Sequence, residues 1–300
     1  MGSRRVFVCS GRVRDLSLGS LGLLAALGLP MSLVACNESA CEDGIGDEAD
    51  DGTDSDSQGE IAQPWLLAID EDEAGSDALI QISVVPGSEG EVTVLCPDLE
   101  LSAGLPADTN FSALAVVGEA LYASAYRETW GDTLVRIDPC ACTATEVGGY
   151  GYELVSGLAS DDGERLLGVA AEQGRFIAVD PQSASSQETT ALTEAWGSNG
   201  LSRGDGDAPL FGINALSDRL YEFRTDGTIR AFLPLAEDFV SVGLEYHRGR
   251  DEIFACGVAG HERDLLTVDR EFGGVEVVAE EVFTTACDNL TAPAGALACE

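Results

Sequence analysis

Thiols and imidazoles are the side chains of this protein with the most chemistry to offer, and they are few: nine cysteines and two histidines among 300 residues. Cys140-Ala141-Cys142 sets two thiols one residue apart beside Pro139. Such a pair could hold a soft metal or shuttle between thiol and disulfide. Zinc asks for about four ligands in a tetrahedron, and no histidine lies near. The redox spacing, with two residues between the cysteines, is also absent. A structural disulfide is the better reading. Cys96, Cys256, Cys287 and Cys299 are the other disulfide candidates in the same region. A Cys96–Cys299 bridge would lock the ends of the chain together, and Cys287–Cys299 is the competing local pair; spacing alone does not choose.

His247, in Tyr246-His247-Arg248, and His261, in Gly260-His261-Glu262-Arg263, fall outside any compact metal-ligand spacing. Both are expected in loops, and no metal site is assigned. A serine hydrolase needs a serine, a histidine and an acid assembled in space, and no Gly-x-Ser-x-Gly elbow is present. No catalytic residue is assigned, and enzymatic activity is not the expectation. Aromatic side chains offer a different chemistry, namely contact. Trp130, Trp196 and the pair Tyr150 and Tyr152, in Gly148-Gly149-Tyr150-Gly151-Tyr152, sit in connections where exposed rings would anchor a partner or stack on a sugar.

The N-terminal region has a distinct organisation. Arg4, Arg5, Arg12 and Arg14 precede an uncharged stretch, Leu16 to Ala35, rich in Leu, Gly and Ala. That is the layout of a secretory signal. It ends in Leu33-Val34-Ala35-Cys36, which resembles the lipobox of bacterial lipoprotein signals. The resemblance implies cleavage before Cys36 and transfer of a diacylglycerol to its thiol. Several acyl chains, at roughly 0.8 kcal/mol per buried CH₂, anchor a soluble domain firmly. By the same resemblance Asn37 favours the outer membrane, on its periplasmic face or at the cell surface. The expected divisions are therefore a signal peptide at 1–35, a lipidated cysteine and acidic linker at 36–64, and a folded domain at 65–300.

Charge excludes some partners. Lys plus Arg number 16 against 53 acidic residues, a formal charge of -37, and every basic residue is Arg. Such a field repels nucleic acid and anionic lipid headgroups. Residues 37–64 have little to bury and are expected to be an extended spacer. Carboxylates are hard ligands for calcium, but the stretch lacks the closing Glu of an EF-hand loop. No cofactor is expected, and calcium is the one ion worth testing.

The elements that position these residues repeat. Ser112-Ala113-Leu114 recurs as Ser156-Gly157-Leu158, Asn199-Gly200-Leu201, Val242-Gly243-Leu244 and Asp288-Asn289-Leu290, with leucine spacings of 44, 43, 43 and 46. A short apolar strand follows each, beginning near Ala120, Leu166, Leu210, Glu252 and Ala296. A third strand ends on Asp138-Pro139, Asp180-Pro181, Asp226-Gly227 or Asp269, and a more variable fourth follows. Four short strands per unit of this length describe a blade of a β-propeller. Trp65–Ile69, Ala78–Val84 and Glu91–Leu95 look like a unit lacking its first strand, which the tail at 288–292 would supply. The expectation is an all-β propeller of about five four-stranded blades, with six as the alternative, closed by pairing of the N- and C-terminal segments. The region resembles the broad superfamily of NHL-like, YVTN-like and quinoprotein-like propellers.

Together these features point to a non-catalytic, lipid-anchored propeller that binds or scaffolds an envelope protein, with membrane lipid as its second partner through Cys36. A carbohydrate or small-ligand module is the first alternative. A calcium-dependent lyase- or lactonase-like enzyme is the second.

Overall fold

The computed structural model describes residues 64–71, 75–126, 132–161, 164–206, 208–293, 295 and 297. The lipobox and Cys36, the acidic stretch that follows it, Trp130, Cys299 and most of the expected strand at 296–299 lie outside the described residues. Among the described residues no helix is long and apolar enough to cross a membrane.

Among the described residues twenty strands form five sheets. The first contains β1 (Trp65–Glu71), β2 (Asp77–Ser83) and β3 (Val92–Cys96). The second contains β4 (Glu100–Leu101), β5 (Asn110–Val117), β6 (Ala120–Tyr126), β7 (Thr133–Asp138) and β8 (Thr143–Gly149). The third runs β9 (Val155–Ser160), β10 (Leu166–Ala170), β11 (Arg175–Val179) and β12 (Ser186–Ala191). The fourth runs β13 (Asn199–Asp205), β14 (Ala208–Asn214), β15 (Arg219–Phe223) and β16 (Ile229–Pro234). The fifth runs β17 (Phe239–His247), β18 (Glu252–Val258), β19 (Leu265–Val268) and β20 (Val275–Ala279). Each of the last four sheets is an antiparallel meander in chain order, and β4 adds to the second one parallel to β8.

The sheets are arranged as a five-bladed β-propeller. The first strands lie side by side, β5 against β9, β9 against β13 and β13 against β17. Five apolar clusters fill the seams between neighbouring sheets. One of them joins Leu66, Ile80 and Ile82 of the first sheet to Phe254 and Leu265 of the fifth. No sheet could bury both faces alone, so the core exists only in the stack.

Two local rules explain the repeat. The residue before four of the five repeated leucines is small because the neighbouring segment comes very close. A Cβ on Gly200 would sit 2.6 Å from the Leu244 Cβ, and one on Gly157 would sit 3.0 Å from the Leu201 nitrogen. The aspartate ending each third strand builds the turn that follows. Asp138, Asp180 and Asp269 each accept two backbone amides from the next few residues, and Asp226 accepts the Thr228 amide.

Some expectations are corrected. The first sheet has three strands and the second has five. The tail forms no extended strand: Leu67 and Thr291 make an isolated antiparallel bridge through two backbone hydrogen bonds of 2.7 and 3.0 Å. Side-chain bonds supplement it. Asn289 Oδ1 accepts the Ile69 amide, while its Nδ2 donates to the carbonyls of Ile69 and Phe111. The disulfides join Cys96 to Cys142 and Cys256 to Cys287. Neither Cys96 nor Cys287 is therefore available to Cys299, because each already has a partner brought close by sheet stacking. Cys140 is disulfide-bonded as well. His247 is no loop residue; it ends β17, 1% exposed, edge-on to the Phe254 ring.

Candidate functional site

One end of the sheets carries the β6–β7, β10–β11, β14–β15 and β18–β19 turns together with every connection from one sheet to the next. At this end the second and third sheets meet around Asp132. Its backbone is knitted to the β8–β9 connection: the Asp132 amide donates to the Tyr152 carbonyl, and the Tyr150 amide donates to the Asp132 carbonyl, both at 3.1 Å. Its side chain, 1% exposed, turns into the seam. There Oδ2 accepts the Val155 amide, and the Leu154 amide also points at the carboxylate. Loss of hydration raises Asp132 to about 6, against the pull of those two amides; the nearby charges of Glu153 and Glu172 push it the same way. Asp132 Oδ1, Tyr150 Oη and Ser124 Oγ are buried without a hydrogen-bond partner. The two hydroxyls lie near each other but out of bonding geometry, and burial raises the Tyr150 phenol far above its ordinary value.

The clamp fixes the neighbouring residues. Leu154 takes φ 54°, a left-handed conformation, with its amide facing Asp132 and its carbonyl accepting the Ala171 amide at 3.1 Å. Its side chain is 43% exposed. Beside it the neighbouring Glu153 carboxyl raises Glu172. The Glu153 amide donates to Gln173 Oε1 at 3.2 Å.

The residues singled out from the sequence distribute unevenly around this site. Tyr150 belongs to it but is 3% exposed, and Tyr152 is half-buried against the same seam. Trp196 is 5% exposed and packs on Tyr221 and Phe223, with ring centroids 4.9 and 5.6 Å away. These rings are core, not open platforms, because each connection folds back over the seam it crosses. Asp132 and Leu154 had no sequence signal. One aspartate among many does not announce its burial, and a left-handed leucine lacks the glycine that usually marks such a turn.

Other groups are already engaged. His261 Nδ1 lies 2.7 Å from Asp264 Oδ2, and Asp264 Oδ1 accepts the Glu281 amide. The pairing raises His261. Desolvation works against the ionised Asp264, but the Glu281 amide and His261 outweigh it and hold it low. His247 Nδ1 accepts the Arg250 amide. Among the described residues no three His, Cys, Asp or Glu side chains converge as a metal site. A concavity of about 380 Å³ lies at the opposite end of the fifth sheet, between Asp251, Glu252, Thr267, Asp269, Arg270 and Glu276. Its charges largely satisfy each other: Arg270 pairs with Asp251, Arg250 pairs with Glu252, and Asp269 holds its own turn. The Asp132 region, with buried atoms left unpartnered and a strained exposed residue, is the stronger candidate.

No family model matches the chain, and no curated protein matches it. Solved structures do. A nidogen/laminin complex contains a chain 10% identical, with a TM-score of 0.48, covering 78% of this chain and 99% of that one. A structural genomics protein of unknown function from Bacteroides thetaiotaomicron is 15% identical, with a TM-score of 0.49, covering 76% of this chain and 60% of that one. TolB from Acinetobacter baumannii is 10% identical, with a TM-score of 0.45, covering 73% of this chain and 54% of that one.

Proposed function

We propose that this chain is a non-catalytic β-propeller, lipid-anchored through Cys36, that docks a protein partner of the bacterial envelope. The observation carrying this reading is where exposed apolar side chains occur. Among the described residues, four of the ten exposed large apolar residues, Tyr126, Leu154, Leu216 and Val240, lie at the end where the inter-sheet connections emerge, and the other six are on outer strands or at the opposite turns. Apolar groups at one end of a heavily charged surface suit protein contact. The carbohydrate alternative is weakened because Tyr150 and Trp196, which would have stacked on sugar rings, are packed in seams. We also read residues 287–291 as closing the ring, supported by the Leu67–Thr291 bridge, the Asn289 bonds and the Ser241 hydroxyl donating to the Cys287 carbonyl.

In-cell crosslinking of an epitope-tagged protein, followed by purification from membrane fractions, tests the function. One dominant protein partner, lost in Cys36→Ser, is the expected result. A folded, membrane-associated protein that enriches no partner overturns it. Retention of Cys36→Ser at the membrane refutes the anchor separately.

A further inference from the structure

We propose that Leu154 is the docking knob of this face, and that it inserts into an apolar recess on the partner protein bordered by arginine or lysine. The inference rests on the protein-docking reading above and deepens it. Six described non-glycine residues have positive φ: Cys142, Leu154, Ala184, Asp218, Asp251 and Glu281. Leu154 alone among them carries a large aliphatic side chain. A left-handed leucine is disfavoured by contact between its Cβ and the following carbonyl oxygen, and it persists only where its surroundings over-determine it. Here they do. The buried Asp132 carboxylate accepts the Val155 amide with the Leu154 amide facing it, and the Ala171 amide donates to the Leu154 carbonyl. The clamp is itself unusual, since a carboxylate is held in an apolar seam with one oxygen unpartnered. What all this holds in place is an apolar side chain pointing away from the core.

Charge defines the occupant. Exposed Glu153 precedes the knob, and the bond from its amide to the Gln173 side chain brings exposed Glu172 close to it. Two neighbouring carboxylates repel each other, and a cation beside them relieves that repulsion. A partner whose recess is flanked by basic side chains would satisfy both features at once. An apolar anchor in a pocket with a charged rim is the arrangement by which a few residues dominate an interface.

Leu154→Gly separates docking from folding, because glycine adopts this φ freely. The variant is expected to melt within about 3 °C of the parent, the relieved strain offsetting the greater freedom of the unfolded chain. A photo-crosslinking side chain is placed at position 154 and, separately, at Phe272, which is exposed at the opposite end of its sheet. The protein captured from position 154 is then purified and titrated against parent and variants. The expected result is a loss of at least about tenfold in affinity for Leu154→Gly, and a flatter salt dependence for Glu153→Gln with Glu172→Gln. Affinity of Leu154→Gly within about twofold of the parent, below the loss a hot-spot residue shows, overturns the proposal. Crosslinking from 272 alone overturns it too but leaves protein docking standing. Silence from both positions removes both.

Discussion

Truncating Asn289 to alanine tests the contact between residues 289–291 and β1. Asn289 is 3% exposed and makes four hydrogen bonds: from the Ile69 amide at 2.7 Å, to the Ile69 carbonyl at 3.1 Å, to the Phe111 carbonyl at 3.3 Å and to Asp288 Oδ1 at 2.8 Å. Alanine removes all four. Ile69 is itself buried, so its amide and carbonyl lose their partner where water does not readily replace it. An orphaned buried polar group costs about 1–3 kcal/mol, so two of them cost about 2–6 kcal/mol. A typical domain has only about 5–15 kcal/mol in total. Urea unfolding of parent and Asn289→Ala, compared at equal slope, measures the difference. Asn289→Asp is expected to be at least as damaging. It can still accept the Ile69 amide, but it loses both donor hydrogens and sets a second carboxylate beside Asp288. A loss below about 1 kcal/mol for alanine, the scale of one ordinary hydrogen bond, would refute the argument. The side chain would then not hold the tail against β1 and β5.

Three further outcomes are expected. Opening the Cys96–Cys142 bridge with a double serine variant should cost up to about 4 kcal/mol, since a separation of 46 residues gives a large loop-closure term. Non-reducing peptide mapping should return that pair and Cys256–Cys287. Gly200→Ala should lose about 1–3 kcal/mol by overpacking, because the new Cβ would meet Leu244 at 2.6 Å; unchanged stability would mean that the first strands are not so closely apposed. Stability should fall as pH rises from about 5 to 8. Burial raises Asp132 and Asp288 to about 6 and Glu245 to about 8, so the folded state holds protons that the unfolded chain has released. Each such carboxyl contributes a slope of up to about 1.4 kcal/mol per pH unit. Carboxyls held low, such as Asp251 and Asp264, finish titrating below this window and do not oppose the trend. Denaturation midpoints that rise with pH would contradict it, and Asp132→Asn should flatten the slope below pH 6.

The repeat was legible because two physical demands recur in four of the five units. A small residue before the leucine is required wherever first strands crowd, and an aspartate at the end of the third strand builds its turn. Both demands leave fixed letters at fixed spacing, so β5, β9, β13 and β17 could be placed in advance. β4 left no such trace. It is two residues long, pairs parallel to β8 and has no alternation to read. Disulfide partners were opaque for a related reason. Cys142 meets Cys96 because a turn of the second sheet lies against the edge of the first, and that is a property of stacking rather than of spacing. The aromatic residues stayed open between packing and contact because loop position does not settle exposure. Trp196 lies outside any strand, yet the β12–β13 connection carries it into the seam with Tyr221 and Phe223.

The contact of residues 289–291 with β1 shows why this segment departs from the pattern of the other units. In three units the residue before the repeated leucine is glycine, and the neighbouring first strand fills the space a side chain would need. At the corresponding position the tail has Asn289. The tail does not pair along its length as β5 or β13 does; Pro293, two residues beyond the Leu67–Thr291 bridge, has no amide to extend a ladder. Asn289 stands in for the missing backbone pairs. Its amide group offers the donor and acceptor that a strand residue would present to Ile69, and its second hydrogen reaches Phe111 on the other side. A glycine here would leave those groups bare, and a larger apolar residue would leave them buried and unpaired. The position that must be smallest elsewhere must therefore be polar here, because this seam is joined by side-chain hydrogen bonds where the others are joined by continuous chain.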